Sequence, residues 1–221
     1  MAAPRFAPPT DERTYWKSPK WVRARVNGDT VADTRRAMLV WEPDGKVPSY
    51  AVPREDVAPS ALEQVREYPD PELAGYVTFP RETGVTWFDE DDEAPGHPRD
   101  PFHRIDVHPS SRHVRISVDG KLVADTTSPV LLFETGLPMR IYVDPRDVKV
   151  PLAPSAKRTL CPYKGTAIYW SLEGHPDIAW TYDDPLPDVG PIKDRIAFFD
   201  EQVDVEVDGE ARDRPQTPWS R

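Results

Sequence analysis

The only cysteine of the chain, Cys161, stands in the run Cys161-Pro162-Tyr163-Lys164-Gly165. A thiolate is far more reactive than a thiol, and nearby cations favour it. Lys157, Arg158 and Lys164 all lie within four positions of this thiol. Lys164 has two further uses, as an amine nucleophile or as an anchor for a ligand carboxylate or phosphate. Tyr163 adds a hydroxyl that donates or accepts a hydrogen bond. The same run also reads as an ordinary turn, with Cys161 a small buried hydrophobe and Lys164 in water.

Aromatic residues crowd the same stretch: Tyr142, Tyr163, Tyr169, Trp170, Trp180, Tyr182, Phe198 and Phe199. Trp170 and Trp180 flank the segment 171–177, and paired across a hairpin they would frame a slot for a planar or cationic group. As the core of a small β domain they would only pack. Arg140, like Arg104 and Arg112, suits an acidic ligand. Of the five histidines, His97 and His175 sit in matching Gly-His-Pro turns, which suggests structure. His103, His108 and His113 cluster without a compact metal-ligand spacing. His175 would complete a Cys-His nucleophile system if the chain folds back onto Cys161. The expected site therefore has Cys161 and Lys164 as reactive groups, Tyr142, Tyr163, Trp170, Trp180 and Arg140 as ligand contacts, and no metal ligand.

The elements that must position these residues come in two copies. Val22–Thr34 reads VRARVNGDTVADT and Val114–Thr126 reads VRISVDGKLVADT, with eight of 13 positions identical at an offset of 92. Further matches follow in the same order. PREDV (53–57) answers PRDV (145–148), APSA recurs at 58–61 and 153–156, and GHP recurs at 96–98 and 174–176. TFPRETGVTWF (78–88) aligns with LCPYKGTAIYW (160–170) after a one-residue shift. On that alignment the CPYKG turn has a degenerate counterpart in the first copy. Alternating apolar residues around Asn27-Gly28 and Asp119-Gly120 predict a hairpin opening each copy. Val203–Gly209 echoes the pattern and predicts a late strand of the second copy. Further strands are expected at 38–41, 47–52, 84–88, 130–133, 140–143, 166–171, 178–182 and 195–199. A helix is expected over Ala61–Glu67, with Ser60 and Glu63 as a capping box.

Composition narrows the class. Proline occurs 27 times in 221 residues, against roughly 5% in an ordinary protein, and proline breaks helices. A helical bundle is excluded. Thirty-eight acidic against 28 basic residues give a net charge of −10, which argues against nucleic-acid and anionic-membrane binding. One cysteine excludes a disulfide framework and a multi-cysteine zinc site. No apolar run is long enough to span a bilayer, and the first twenty residues lack the apolar core of a signal peptide, so the expected location is cytoplasmic.

The duplicated VRxxVxGxxVADT hairpins, the PRDV strand end and the CPYKG run resemble the proteins grouped as "domain of unknown function 427". The resemblance covers nearly the whole chain from Trp16 to Ala211. It implies a mostly antiparallel unit similar to the β-tent proteins, and no established activity. A nucleotidyltransferase-like label sometimes attached to the family finds no support here. No Gly-Ser motif with paired carboxylates and no phosphate-cradling glycine loop is present. The paired CxxC motifs that hold zinc in many β-tent proteins are also missing.

The expectation is an all-β protein with at most one or two short helices, two tandem β-tent-like units packed together. Residues 1–21 form a Pro-rich arm, 22–107 the first unit, 108–211 the second unit carrying CPYKG, and 212–221 a tail. The function expected is a small-molecule pocket in the second unit, taking a small anionic or aromatic metabolite. The alternatives are a Cys161-dependent enzyme and a protein-interaction scaffold that uses the arm. The residues identify no cofactor.

Overall fold

The computed structural model describes residues 12–43, 45, 47–217 and 220. Of the arm expected at 1–21, residues 1–11 lie outside them. The chain divides between Phe102 and His103 into two compact units. Each is built of antiparallel strands, and the described residues contain no α-helix.

The first unit runs β1 (Thr14–Lys17), β2 (Val22–Val26), β3 (Asp29–Thr34), β4 (Met38–Trp41), β5 (Ser49–Pro53), β6 (Arg66–Glu67), β7 (Tyr76–Thr78), β8 (Thr86–Asp89) and β9 (Asp92–Ala94). The second runs β10 (Ile105–Pro109), β11 (Val114–Val118), β12 (Lys121–Thr126), β13 (Val130–Glu134), β14 (Arg140–Val143), β15 (Ala153–Cys161), β16 (Gly165–Leu172), β17 (His175–Thr181), β18 (Ile196–Phe198), β19 (Asp204–Val207) and β20 (Glu210–Arg212). Sheet order is β1-β4-β5-β7-β6 with β3-β2-β8-β9 in the first unit. In the second it is β10-β13-β14-β18-β17-β16-β15 with β12-β11-β19-β20.

The hairpins form where the alternation placed them. Asn27 and Gly28, Asp119 and Gly120, and Asp208 and Gly209 all have positive φ. Two consecutive positive φ values match the right-handed twist of the flanking strands. The duplication is visible bond by bond. Thr34 Oγ1 donates to Asp56 at 2.6 Å, and Thr126 Oγ1 to Asp147 at 2.6 Å. Ala32 bridges to Val57 as Ala124 does to Val148. Each repeat also begins one strand before its hairpin. Thr14–Lys17, read from the sequence as part of the arm, pairs with β4 as Ile105–Pro109 pairs with β13.

One sequence alignment does not survive. Val22 pairs with Thr34 and Asp89, and Val114 with Thr126 and Val207, so β8 corresponds to β19. The segment 78–88 is therefore the counterpart of the β18–β19 region, not of 160–170. The strands β15, β16 and β17 lie within the segment 149–195, where the first unit has only 58–75 with the two-residue β6. The CPYKG turn thus belongs to an insertion of the second unit and has no degenerate copy. Shared Pro and Gly had produced the match. The Gly-His-Pro turns are likewise unrelated: His175 opens β17, whereas His97 follows β9.

The helix expected at Ala61–Glu67 is a 3-10 segment over Pro59–Gln64, its N-cap is Ala58 without a side-chain cap bond, and Arg66–Glu67 is β6. Seven residues cannot offset the cost of helix nucleation, and the buried Ala61 anchors the turn instead. A second six-residue 3-10 segment, Pro187–Ile192, covers one face of the large sheet in the second unit, with Val189 and Ile192 buried.

In the second unit one core lies between the two sheets and includes Ile116, Ile141, Ile178 and Phe198. The other, on the opposite face of the seven-stranded sheet, holds Tyr142, Tyr169, Trp180, Tyr182 and Phe199. The first unit has the inter-sheet core, with Trp41, Tyr50 and Val77. On the far face of its sheet it has only a small cluster around Tyr68 and Leu73.

Candidate functional site

The second core exists because the seven-stranded sheet rolls up. Val130, Tyr142, Ala197, Trp180 and Tyr169 are successive partners across β13, β14, β18, β17 and β16, so they share one face. Laid flat, with strands about 4.8 Å apart and residues about 3.3 Å apart along each, Gly165 and Glu134 would sit at opposite corners roughly 30 Å apart. Instead the Lys164 ammonium donates to the Glu134 carboxylate. Ala167 of β16 and Val130 of β13 also belong to the same core. The two corners meet in a seam.

The β15–β16 tip is shaped for this closure. Cys161 pairs with Gly165, and Lys164 N donates to Cys161 O at 3.3 Å. Leu186 N donates to Lys164 O at 3.1 Å, which docks the tip on the segment before the 3-10 turn. Gly165 has φ +98°, and a Cβ there would stand 3.1 Å from Asp184 O. At the seam His103 Nε2 lies 2.9 Å from Glu134 Oε1, and the Tyr163 ring stacks on His103 at 4.2 Å between centroids.

Burial pushes the Glu134 carboxyl up. The hydrogen bond from His103 and the charge and hydrogen bond of Lys164 outweigh it and hold the group below its ordinary value. It is an ionised carboxylate whose side chain is only 5% exposed. With Glu134 ionised, His103 Nε2 is the donor. The Tyr142 hydroxyl accepts from Trp180 Nε1 at 3.2 Å. Burial raises the Tyr142 hydroxyl well above the ordinary phenol range, and it feels the charges of Glu134 and Arg140 together. Tyr182 is raised by burial as well, and Tyr142 and Glu134 add to the effect. Arg140 grips Glu201 with two bonds of 2.9 and 2.6 Å and lies 5.6 Å from the Trp180 ring. Thr217, in the segment read as a tail, donates to Glu201 at 2.6 Å. Asp200, 4.0 Å from Arg140, is pushed up to about 6 by burial.

The structure therefore gathers Cys161, Tyr163, Lys164, Tyr142, Trp180 and Arg140 around the inner face of one rolled sheet. Trp170 is not among them. It pairs with Ala179, one step out of register from the Tyr169–Trp180 pair, so it faces the inter-sheet core and donates to Thr181 Oγ1 at 2.9 Å. The two tryptophans frame no slot, because neighbouring residues on a strand point to opposite faces. Lys164 and Arg140 are each already paired with a carboxylate. His175 pairs with Leu172, separated from Cys161 by the length of β16, about 23 Å, and bonds Asp119 at 2.8 Å. It cannot serve the thiol. His113 bonds Asp125 at 2.7 Å while His103 bonds Glu134. Among the described residues no group of three or more His, Cys, Asp or Glu side chains is placed to hold a metal.

Sequence reasoning missed Glu134 and Glu201, and named Tyr182 only among the crowded aromatics. Glu134 alone carried a signal, as the single acid closing the apolar strand Val130-Leu131-Leu132-Phe133. Chemically, the seam brings together an ionised carboxylate, an ammonium and an oriented imidazole in an aromatic setting.

In comparison with known families, the chain matches the model of a domain of unknown function, DUF427, over residues 14–80 and 106–209. The two segments open with β1 and β10, and so agree with the repeat boundaries that the strand pairing gives. No curated protein matches the chain. No helix of the described residues is long and apolar enough to cross a membrane.

Proposed function

The chain belongs to the DUF427 family, whose description carries no activity, and from the geometry we propose that it is a small-molecule-binding protein whose site is the seam of the second unit. The observation that carries this reading is the convergence of buried charge. Arg140, Lys164, Asp200 and Glu201 are each at most 8% exposed, and the Glu134 side chain is 5% exposed. Ion pairs so buried gain little net stability over apolar packing of the same volume. Clusters of perturbed ionisable groups beside aromatic walls are, by contrast, the usual chemistry of a binding site. Cys161 is part of the wall. No histidine is hydrogen-bonded to it among the described residues, so the reading assigns it no nucleophilic role.

The test is native mass spectrometry of the protein after exposure to a metabolite extract. A bound small molecule should be retained by the wild type and by Cys161→Ser, and weakened by Tyr142→Phe or Glu134→Gln. No bound mass from any extract, or one indifferent to both seam variants, would count against the reading.

A further inference from the structure

The hairpin tips of the two units share a backbone but not a chemistry. Three pairs ending in glycine turn the chain with successive positive φ values: Asn27-Gly28 at 51° and 91°, Asp119-Gly120 at 49° and 74°, and Asp208-Gly209 at 56° and 85°. Asn27 is the only asparagine of the chain. The two acids are held by neighbours. Asp119 Oδ2 lies 2.8 Å from His175 Nε2, while Asp208 accepts from Arg112 Nε at 2.8 Å and from the His113 backbone N–H at 2.9 Å. The exposed Asn27 side chain makes no hydrogen bond among the described residues. The Gly28 N–H is free as well. Strand pairing stops at Val26–Asp29, and no turn or loop bond among the described residues engages it.

We infer that Asn27-Gly28 is a self-modifying site, at which the Gly28 nitrogen attacks the Asn27 carboxamide and turns the residue into aspartate and isoaspartate in the folded protein. The backbone nitrogen gives its proton to solvent base and bonds to Asn27 Cγ. The Cγ–N bond of the side-chain amide breaks, its nitrogen takes up a proton, and ammonia leaves a five-membered succinimide. Water then opens the ring at either carbonyl, which yields aspartate or isoaspartate, so the net exchange is one water for one ammonia. A glycine in second place leaves no side chain to obstruct the attack, and a Cβ built on Gly28 meets nothing within 4 Å. The two-residue tip lies beyond the last strand pair, so it can distort toward the ring without unpairing β2 from β3. At 119 and 208 the group under attack is a carboxylate, a poorer electrophile than an amide, and it is tethered. The aspartate product suits this turn, because Asp208-Gly209-Glu210 already has the acid-glycine-acid order that Asn27-Gly28-Asp29 would acquire. The isoaspartate product does not, since its extra main-chain methylene spoils the two-residue loop that matches the strand twist.

The experiment incubates the folded wild type for several weeks at neutral and at mildly alkaline pH, beside a sample unfolded in urea. Mass spectrometry and isoaspartyl methyltransferase labelling then follow the tryptic peptide Val26–Arg35. The expected result is a progressive amide-to-acid mass gain on that peptide in the folded sample, faster at alkaline pH and partly isoaspartyl. Asn27→Gln should abolish it, and peptides holding Asp119 or Asp208 should stay free of isoaspartate. Asn27→Asp should melt within about 2 °C of the wild type. A peptide that converts only in urea, or isoaspartate arising equally at Asp119 and Asp208, overturns the inference. Acid formed without any isoaspartate also overturns it, because direct hydrolysis would then replace the ring. A much lower melting temperature for Asn27→Asp would show that the turn does not accept the product.

Discussion

At the residue scale the decisive group is Glu134. Its side chain is 5% exposed and its two partners are fixed, while Glu42 at the same place in the first unit is 36% exposed. Removing one partner of a buried pair strands the other charge. Glu134→Gln should therefore cost about 3 kcal/mol in urea unfolding, and Glu42→Gln less than about 1 kcal/mol. Equal costs would mean that the seam is no better shielded than the surface. Asp200 gives a pH signature. Its carboxyl rises from an ordinary 3.8 to about 6 in the folded state, so between those values the native protein keeps a proton that the unfolded chain releases. Stability should fall by about 2–3 kcal/mol as pH rises through that window, and Asp200→Asn should remove the slope. Glu134, held low, acts in the opposite sense: its contribution is complete above its ordinary 4.5 and is lost as pH falls below it. The composition of the candidate site was legible in part, because cations stand close to Cys161 in the sequence and aromatic residues crowd the same repeat. Their partners were not. Glu134 and Glu201 lie 30 and 61 positions from the cations that they bind, and no local pattern reports on contacts made by rolling a sheet.

At the scale of elements, hairpins were the readable part, because their turns are dictated by two adjacent residues and their strands by alternation. β1, β6, β7, β9, β10, β15 and β20 escaped notice. β15 is an edge strand exposed along most of its length, so no apolar alternation marks it. The mistaken equivalence of 78–88 with 160–170 has the same origin: turn residues recur wherever chains turn, whatever strand follows. The closure itself hangs on Gly165. An alanine there would carry φ +98° and press on Asp184 O, so Gly165→Ala should destabilise by about 1–3 kcal/mol. It should also raise the alkylation rate of Cys161 beyond what the lowered global stability accounts for. If thiol reactivity merely tracks unfolding, the tip does not move as a separate element.

At the scale of the molecule, each unit has its own pair of sheets and its own inter-sheet core. A chain consisting of residues 103–221 should accordingly unfold cooperatively and give dispersed amide resonances. A molten spectrum would mean that the second unit depends on the first. The insertion that carries the seam has one more consequence, and it concerns time. In the first unit Val52 needs only to find Val77, whereas in the second Tyr142 must wait for Ala197. The longer loop costs only about 0.7 kcal/mol more to close, yet non-local pairings slow folding steeply. Refolding should show a fast phase sensitive to substitutions in β5 and β7 and a slow one sensitive to substitutions in β14 and β18. During synthesis the first repeat emerges complete while the aromatic face of the second is still unwrapped. The inserted segment that closes the seam is thus also the last to be sheltered from aggregation.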